Sequence, residues 1–472
     1  MELVFETREA ILAIKGCMHF FQEEPEIMPE PVMMPTQETE GGRITANSVV
    51  LDAGVFKMWY WAFPDNQLFP AYAESEDGIN WYRPDTNIAP HQNGARNFLD
   101  FISPISVYLD PDAEPDKRYR GVGYLNSKRI SDNPRAEAGF YHSFYSSDGL
   151  HWEVESSIPR TGDTITASYH PGRNCAIGAF KKVRRVNGLQ RRTIWTAPII
   201  GGKWSNQNSA LIPDLSDDFS ARERGAFSAD YYRMGMLPAN KGCVGFVETF
   251  WHTMPYSMSP IENYAIYGTG SITLAYQEKA GDRWLNMPGR KSFIDNSSLP
   301  WTKGWIQTTN TPIEVGDEHW LYFTGSPFSH AMHLDSNWNK IQELEDYRNC
   351  NNDWGIGVAK WPKWRMFGCS TETEGIIEID LGKSDSAKKL YLNFKTENNG
   401  HIHVALKTRK QGEKIKFLSG FSYDESIALS GNSIREEAKW KNQNDVPQTE
   451  ESNIIAEIHI SNASLYAWKF TN

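Results

Sequence analysis

The chain has 472 residues, 40% hydrophobic and 23% charged, a globular composition long enough for two or three domains and unlike that of a disordered or membrane-embedded protein. Lys and Arg number 48 against 59 Asp and Glu, and a net charge of −11 without a basic tract argues against nucleic acid as the main partner. No apolar run approaches the roughly 18 residues of a membrane-crossing helix, so no membrane partner is expected.

The start, Met1-Glu2-Leu3-Val4-Phe5, lacks a basic stretch followed by an apolar one. A cytoplasmic protein, or an exported one whose signal has been removed, is expected. Residues 1–39, rich in Pro and Glu, read as an extension packing on the domain that follows. Val49-Val50-Leu51 and Val55 to Trp61 then read as two strands around the turn Asp52-Ala53-Gly54. Gly268 to Tyr276 and Trp320 to Thr324 read the same way, and helix signals are scarce. Aromatic content of 13% suits sheet packing and flat ligands such as sugars.

A repeat narrows the architecture. Ser75-Glu76-Asp77-Gly78-Ile79-Asn80-Trp81 matches Ser146-Ser147-Asp148-Gly149-Leu150-His151-Trp152, with a degenerate copy from Tyr276 to Trp284. The Asp-Gly step makes a tight hairpin because Gly accepts positive φ. The glycines at 78, 149 and 281 are spaced 71 and 132 apart, and 132 is twice 66. A unit of about 65–70 residues with one copy eroded fits four-stranded propeller blades. The fold class expected is all-β: a five-bladed propeller over 40–370 and a β-sandwich over 371–472. In the second domain the polar stretch Arg435 to Ser452 reads as a long loop. The five cysteines are scattered without a CxxC pair, so neither a disulfide framework nor a metal site is expected, and no cofactor motif stands out.

The segments YAESEDGINW, FYSSDGLHW, GDEHWLYFTGS and GIGVAKW resemble glycoside-hydrolase-like proteins related to families 32, 43 and 68. The segments LYLNFKTENNGHIHVAL and LYAWKF resemble the β-sandwich after the propeller in the family 32-like branch. The resemblance implies an acidic funnel on the propeller axis, with carboxylates from first strands of different blades cleaving a glycosidic bond. One departure stands out: the segment Gly42 to Val49, which matches the family's nucleophile-bearing first strand, has no carboxylate.

Glycoside hydrolysis needs a protonated acid and a second carboxylate. Acids within apolar or small-residue runs are Asp100 in NFLDFI, Asp163 in GDTITA and Asp230 in AFSADYY, with Glu248 in GFVETFW as a further candidate acid. The expected roles are Asp230 as acid, Asp163 as orienter or stabiliser and Asp100 as base or nucleophile, all converging on one mouth. The bland reading of each is a turn cap or strand-edge charge. Arg96, His170, Arg224, His252, Trp305 and His330 are candidate substrate contacts, since Arg grips carboxylate or sulfate and Trp stacks on sugar rings. Trp251 and Trp301 are further stacking candidates.

The leading reading is an exo-acting glycoside hydrolase on a plant or algal oligosaccharide. The competing ones are a non-catalytic carbohydrate-binding propeller and a polysaccharide lyase pairing His170 with Tyr231 or Tyr232. A sialidase is weaker, because its Asp box has one more residue between Asp and Gly. The sequence carries no sign of oligomeric state.

Overall fold

The computed structural model of the chain describes residues 2–3, 10–124, 139–239, 242–259, 261–279, 281, 283–332, 339, 341, 354–410 and 414–471. Strands dominate. Leu215–Glu223, capped by Asp214 through the N–H groups of Ser216 (2.8 Å) and Asp217 (3.3 Å), is a helix that the sequence reading missed.

Five small antiparallel sheets follow one another along the chain. Blade one is Ile44–Asp52, Val55–Ala62 and Phe69–Ser75. Blade two is Ser106–Leu109, Tyr119–Gly123, Phe140–Ser146 and Glu153–Pro159. Blade three is Ile165–His170, Cys175–Val186 and Leu189–Ile200, edged by Lys203–Trp204 and Asn208–Leu211. Blade four is Ala229–Ala239, Gly242–His252 and Gly268–Gln277, edged by Leu285–Asn286 and Ser292–Ile294. Blade five is Trp305–Thr308, Glu318–Ser326 and Gly355–Pro362, edged by Ile313–Val315 and completed by Glu26–Ile27 from the N-terminal segment.

The five first strands pack side by side in chain order, and the last returns to the first. That closed ring is a five-bladed β-propeller. Converging first strands leave backbone groups unpaired around the axis, and short polar side chains satisfy them. Val107 N donates to Ser48 Oγ (3.0 Å) and Ala167 N to Ser106 Oγ (2.9 Å). Asn310 Nδ2 donates to the carbonyls of Val107 (2.8 Å) and Ala167 (2.9 Å), spanning two blades. Neutral hydroxyls and an amide thus fill the axis at the level where the resemblance implied acids.

The hydrophobic core lies between blades. One cluster joins blades five and one through Ile44, Met58, Tyr60, Tyr322 and Ile356; another joins blades three and four through Ile177, Ile194, Met236 and Val247. The repeat hairpins fasten this packing. In the first copy Gly78 N donates to Ser75 Oγ (2.9 Å) and Ile79 N to Asp77 Oδ1 (2.8 Å). The second copy repeats both bonds, Gly149 to Ser146 (2.9 Å) and Leu150 to Asp148 (2.8 Å). Each hairpin is gripped by the second strand of the preceding blade: Tyr322 Oη donates to Gly78 O (2.8 Å) and Trp59 Nε1 to Gly149 O (2.8 Å). Trp81 and Trp152 pack edge-on against those same two aromatics. The three copies fall in blades one, two and four, with Ala280 and Asp282 of the third outside the described residues. The eroded copy is Gly201-Gly202-Lys203-Trp204 in blade three, which keeps the Gly-to-Trp spacing but neither Ser nor Asp.

Compactness divides the chain into Pro25–Val315 with Trp320–Lys360, and Met1–Glu24 with Gly316–His319 and Trp361–Asn472. The N-terminal stretch read as one extension is therefore split. Ile11–Gly16 and His19–Gln22 pair with the strand Phe367–Ser384 of the second unit, while Glu26–Ile27 pairs with the propeller. The second unit is one continuous sheet rather than two separate ones. Its long strands Phe367–Ser384, Lys389–Arg409 and Thr449–Thr471 shift register near Thr371, Thr396 and Ser461. Both halves of each strand feed one core, including Leu392 with Val404 and Ile458 with Leu465, so the sheet folds over itself at these irregularities. The stretch read as a loop after Arg435 instead continues the strand Asn432–Glu437, buries Trp440 and enters the last strand at Thr449.

Candidate active site

The four acids expected to carry chemistry do not converge. Asp100 sits in the loop before blade two, exposed, with Oδ1 accepting from Ile102 N (3.3 Å) as a turn cap. Asp230 is fully buried and faces blade three, not the axis. Arg191 Nε meets its Oδ1 at 2.6 Å, Arg192 Nη1 its Oδ2 at 3.1 Å, and His252 Nε2 stands 3.4 Å away. Burial opposes its ionisation, but His252, Arg192 and Arg191 outweigh burial and hold the carboxyl well below the usual range. An acid locked in its ionised form has no proton to give, so the role of general acid does not fit Asp230.

Asp163 pairs with Lys181, and Glu248 lies within electrostatic reach of both without touching either. Asp163 precedes the first strand of blade three. Gly162 allows the chain to pass close to the second strand there, since a Cβ on it would lie 2.7 Å from Lys181 O. The Asp163 carboxylate pairs with Lys181 Nζ while its side chain stays 52% exposed. Burial raises its pKa, but the Lys181 charge wins and leaves it at about 2.

Glu248 lies in the middle strand of blade four, wholly buried, and among the described residues neither carboxyl oxygen makes a well-formed hydrogen bond, Trp305 being the side chain that comes near enough to favour its charge. Burial pushes its pKa up to about 7 against the pull of Arg233 and Lys181. Lys181 feels both acids, yet burial brings its ammonium down to about 8.

A bulge in blade four completes the group. Tyr231 pairs with Thr249 and Arg233 with Glu248, leaving Tyr232 as the extra residue. Tyr231 turns to Asp217 (2.7 Å), whereas Tyr232 Oη lies 3.3 Å from His330 Nε2 and 3.5 Å from Asp163 Oδ2. His330 Nδ1 donates to Ile266 O (2.6 Å), which leaves Nε2 as an acceptor. Burial, reinforced by Arg192, lowers the His330 pKa to about 3, so the ring is neutral. Burial and the Asp163 charge keep Tyr232 protonated. Lys181 Nζ sits 3.6 Å from the centre of the Tyr232 ring. Trp305 (5.3 Å) and Phe250 (6.0 Å) meet the same ring edge-on. The result is an aromatic wall with an acid, a neutral imidazole and an ammonium beside it.

Of the substrate contacts expected from sequence, Trp305 and His330 belong to this group. Arg96 instead pairs with Asp85 (2.5 Å) on an exposed loop, and Arg224 with Asp295 (2.5 Å). His170 lies at the far end of its strand, with Nε2 2.9 Å from Gly242 O, which removes the pairing with Tyr232 considered for a lyase. His252 is buried against Ser228 Oγ (2.6 Å) and Asp230. Trp251 and Trp301 are packing residues, donating to Ser271 Oγ (2.6 Å) and Pro29 O (2.9 Å). Lys181, Arg192 and Arg233 escaped the sequence reading. The available signal was a lysine directly after the apolar run Ala176 to Phe180, where alternation buries it. Among the described residues no group of three or more His, Cys, Asp or Glu is placed to hold a metal ion, and no helix is long and apolar enough to cross a membrane.

No protein-family profile and no curated protein matches the chain. Several solved structures are similar in fold. An N-acetylgalactosamine deacetylase from F. plautii, in complex with blood group B trisaccharide, matches at a TM-score of 0.43 and 13% identity over 73% of this chain and 96% of that one. A glycosyl hydrolase from Bacteroides ovatus matches at 0.41 and 13% over 73% and 95%. A thermostable family-43 glycoside hydrolase matches at 0.39 and 10% over 61% and 87%. Likenesses this distant carry no argument about what the chain does.

Proposed function

We propose that the chain is a carbohydrate-active enzyme that hydrolyses a glycosidic bond, with Glu248 as general acid and Asp163 as the ionised partner. The observation that supports this is the opposed state of two neighbouring carboxyls: Glu248 at about 7 can hold a proton near neutrality, and Asp163 at about 2 cannot. Asp163, half exposed, meets substrate first and activates water or stabilises positive charge on the sugar. Glu248 is wholly buried, so proton delivery requires the side chains covering it to part as the sugar enters. Lys181 holds Asp163 ionised and gives up its contact as charge moves between the acids.

A second reading rests on the contact between Tyr232 and His330. In a β-elimination, neutral His330 Nε2 takes the proton α to a uronate carboxylate, Tyr232 protonates the leaving oxygen as its C–O bond breaks, and a C=C bond forms. Lys181 or Arg192 would neutralise the carboxylate.

One experiment separates the two. A panel of neutral and acidic oligosaccharides is assayed for new reducing ends and for the ultraviolet absorbance of unsaturated sugars. Hydrolysis predicts reducing ends without absorbance, and a fall of about 10²–10⁴-fold in turnover for Glu248→Gln. Absorbance, abolished by Tyr232→Phe and insensitive to Glu248→Gln, would replace hydrolysis with elimination. Binding without either product would make the site a sugar receptor.

A further inference from the structure

The hairpins of blades one to three each have a glycine carbonyl taken by the preceding blade: Gly78 by Tyr322 (2.8 Å), Gly149 by Trp59 (2.8 Å), and in blade three Gly202, one residue past the counterpart Gly201, by Ser143 (2.5 Å) and Ser156 (2.7 Å). In blade four no such clasp on Gly281 is found among the described residues. A Cβ placed on Gly281 would meet nothing within 4 Å. In its place a cavity of about 400 Å³ opens between blades three and four, lined by Arg173, Thr196, Asn208, Ser209, Arg283 and Trp284 among others.

The same erosion frees a charge. The residue two past the hairpin glycine binds the hairpin aspartate in the intact copies, Asn80 to Asp77 (2.7 Å) and His151 to Asp148 (2.8 Å). In the third copy that residue is Arg283, and the aspartate position is Ala280. Arg173 follows the first strand of blade three, at the opposite end from Asp163. Neither arginine has an ion pair among the described residues, although Arg83, Arg96, Arg118, Arg120, Arg191 and Arg290 all do. Among the described residues no Asp or Glu lines the cavity.

We propose that this cavity binds an acidic saccharide unit, a pyranose carrying a carboxylate or a sulfate ester. Two unpaired guanidiniums supply the forked donors that planar oxyanions accept. Thr196, Asn208 and Ser209 offer hydroxyls and an amide to sugar hydroxyls, and Pro198 with Trp284 gives an apolar wall for the ring face. A polyanion such as nucleic acid is disfavoured by the net charge of −11, whereas a single acidic sugar meets mainly the local pair of cations. The site is separate from the Asp163–Glu248 group and does not rest on its chemistry.

The test is calorimetric titration of the full chain with digalacturonate, galactose 6-sulfate, neutral galactobiose and sodium sulfate. At least one acidic sugar binds about tenfold or more tighter than galactobiose, and Arg173→Gln/Arg283→Gln removes about tenfold or more of that affinity. Asp163→Asn leaves it unchanged, which distinguishes this cavity from the proposed active site. The thermal midpoint of the double variant checks that the fold survives. Equal affinity for neutral and acidic sugars, sulfate alone binding as tightly as the sugars, or an unaffected double variant would each overturn the proposal.

Discussion

Glu248 is buried without a well-formed hydrogen bond to either oxygen among the described residues, and that has a measurable cost. Its folded pKa of about 7 lies above the ordinary 4.5, so between these values the folded chain binds a proton that the unfolded chain has lost. Stability therefore falls as pH rises through this window, by at most about 1.4 kcal/mol per pH unit. Glu248→Gln should flatten that slope in urea melts between pH 4.5 and 7; an unchanged slope would mean that Glu248 ionises normally. Asp163 works in the opposite sense. Its depressed pKa contributes stability above the ordinary range that is lost as pH falls toward about 2, and with its side chain half exposed the contribution is small. The sequence pointed to Asp163 and Glu248 as acids but ranked Asp230 above Glu248. Flanking residues could not separate them, because what decides is distant: Arg191 and Arg192 ion-pair with Asp230, whereas around Glu248 burial outweighs Arg233 and Lys181, neither of which pairs with it.

The hairpin repeat is the element that most directly converts sequence into blade packing. Asp148 Oδ1 accepts from two backbone N–H groups, of Leu150 (2.8 Å) and His151 (2.9 Å). Asp148→Ala should cost about 1–2 kcal/mol, read as a lower thermal midpoint with sugar binding unchanged. Gly149→Ala should cost more, since φ is +80° and a Cβ would lie 2.9 Å from the buried Trp59 ring. If both variants melt like the parent, the hairpins do not fasten the blades. These turns were legible because Asp-Gly with a following Trp encodes its own geometry. The blade-three copy was not, because Gly201-Gly202 keeps the turn without the Ser and Asp that mark it. The bulge that aims Tyr232 was likewise hidden, since it depends on the register against Gly242–His252 rather than on local residues.

At the scale of the molecule, blade number and order were readable from spacing, because the hairpin recurs in blades one to four at a unit length that leaves room for one more blade. How the N-terminal segment divides was not, since Glu26–Ile27 pairs with Ala359 and Lys360 more than three hundred residues later. Starting the chain at residue 36 removes that edge strand and the Met33–Ile356 bridge, and with them Ile11–Gly16 and His19–Gln22 from the second unit's sheet, so it should lower the thermal midpoint and promote association through the bared Gly355–Pro362 and Phe367–Ser384 edges. Size-exclusion chromatography reads this directly, and a shortened chain that stays monodisperse and melts like the parent would show that the ring closes without it. The packing of blade four on blade three also sets Glu248 within electrostatic reach of the Asp163–Lys181 pair, which is the central claim. Infrared difference spectra of the parent chain against Glu248→Gln, recorded from pH 5 to 9, test it most directly. The account predicts a protonated-carboxyl band from Glu248 that persists at pH 6 and falls to about half near pH 7, and that moves to higher pH when Lys181→Met removes the stabilising charge. A Glu248 already ionised at pH 5, or one indifferent to Lys181, would contradict it.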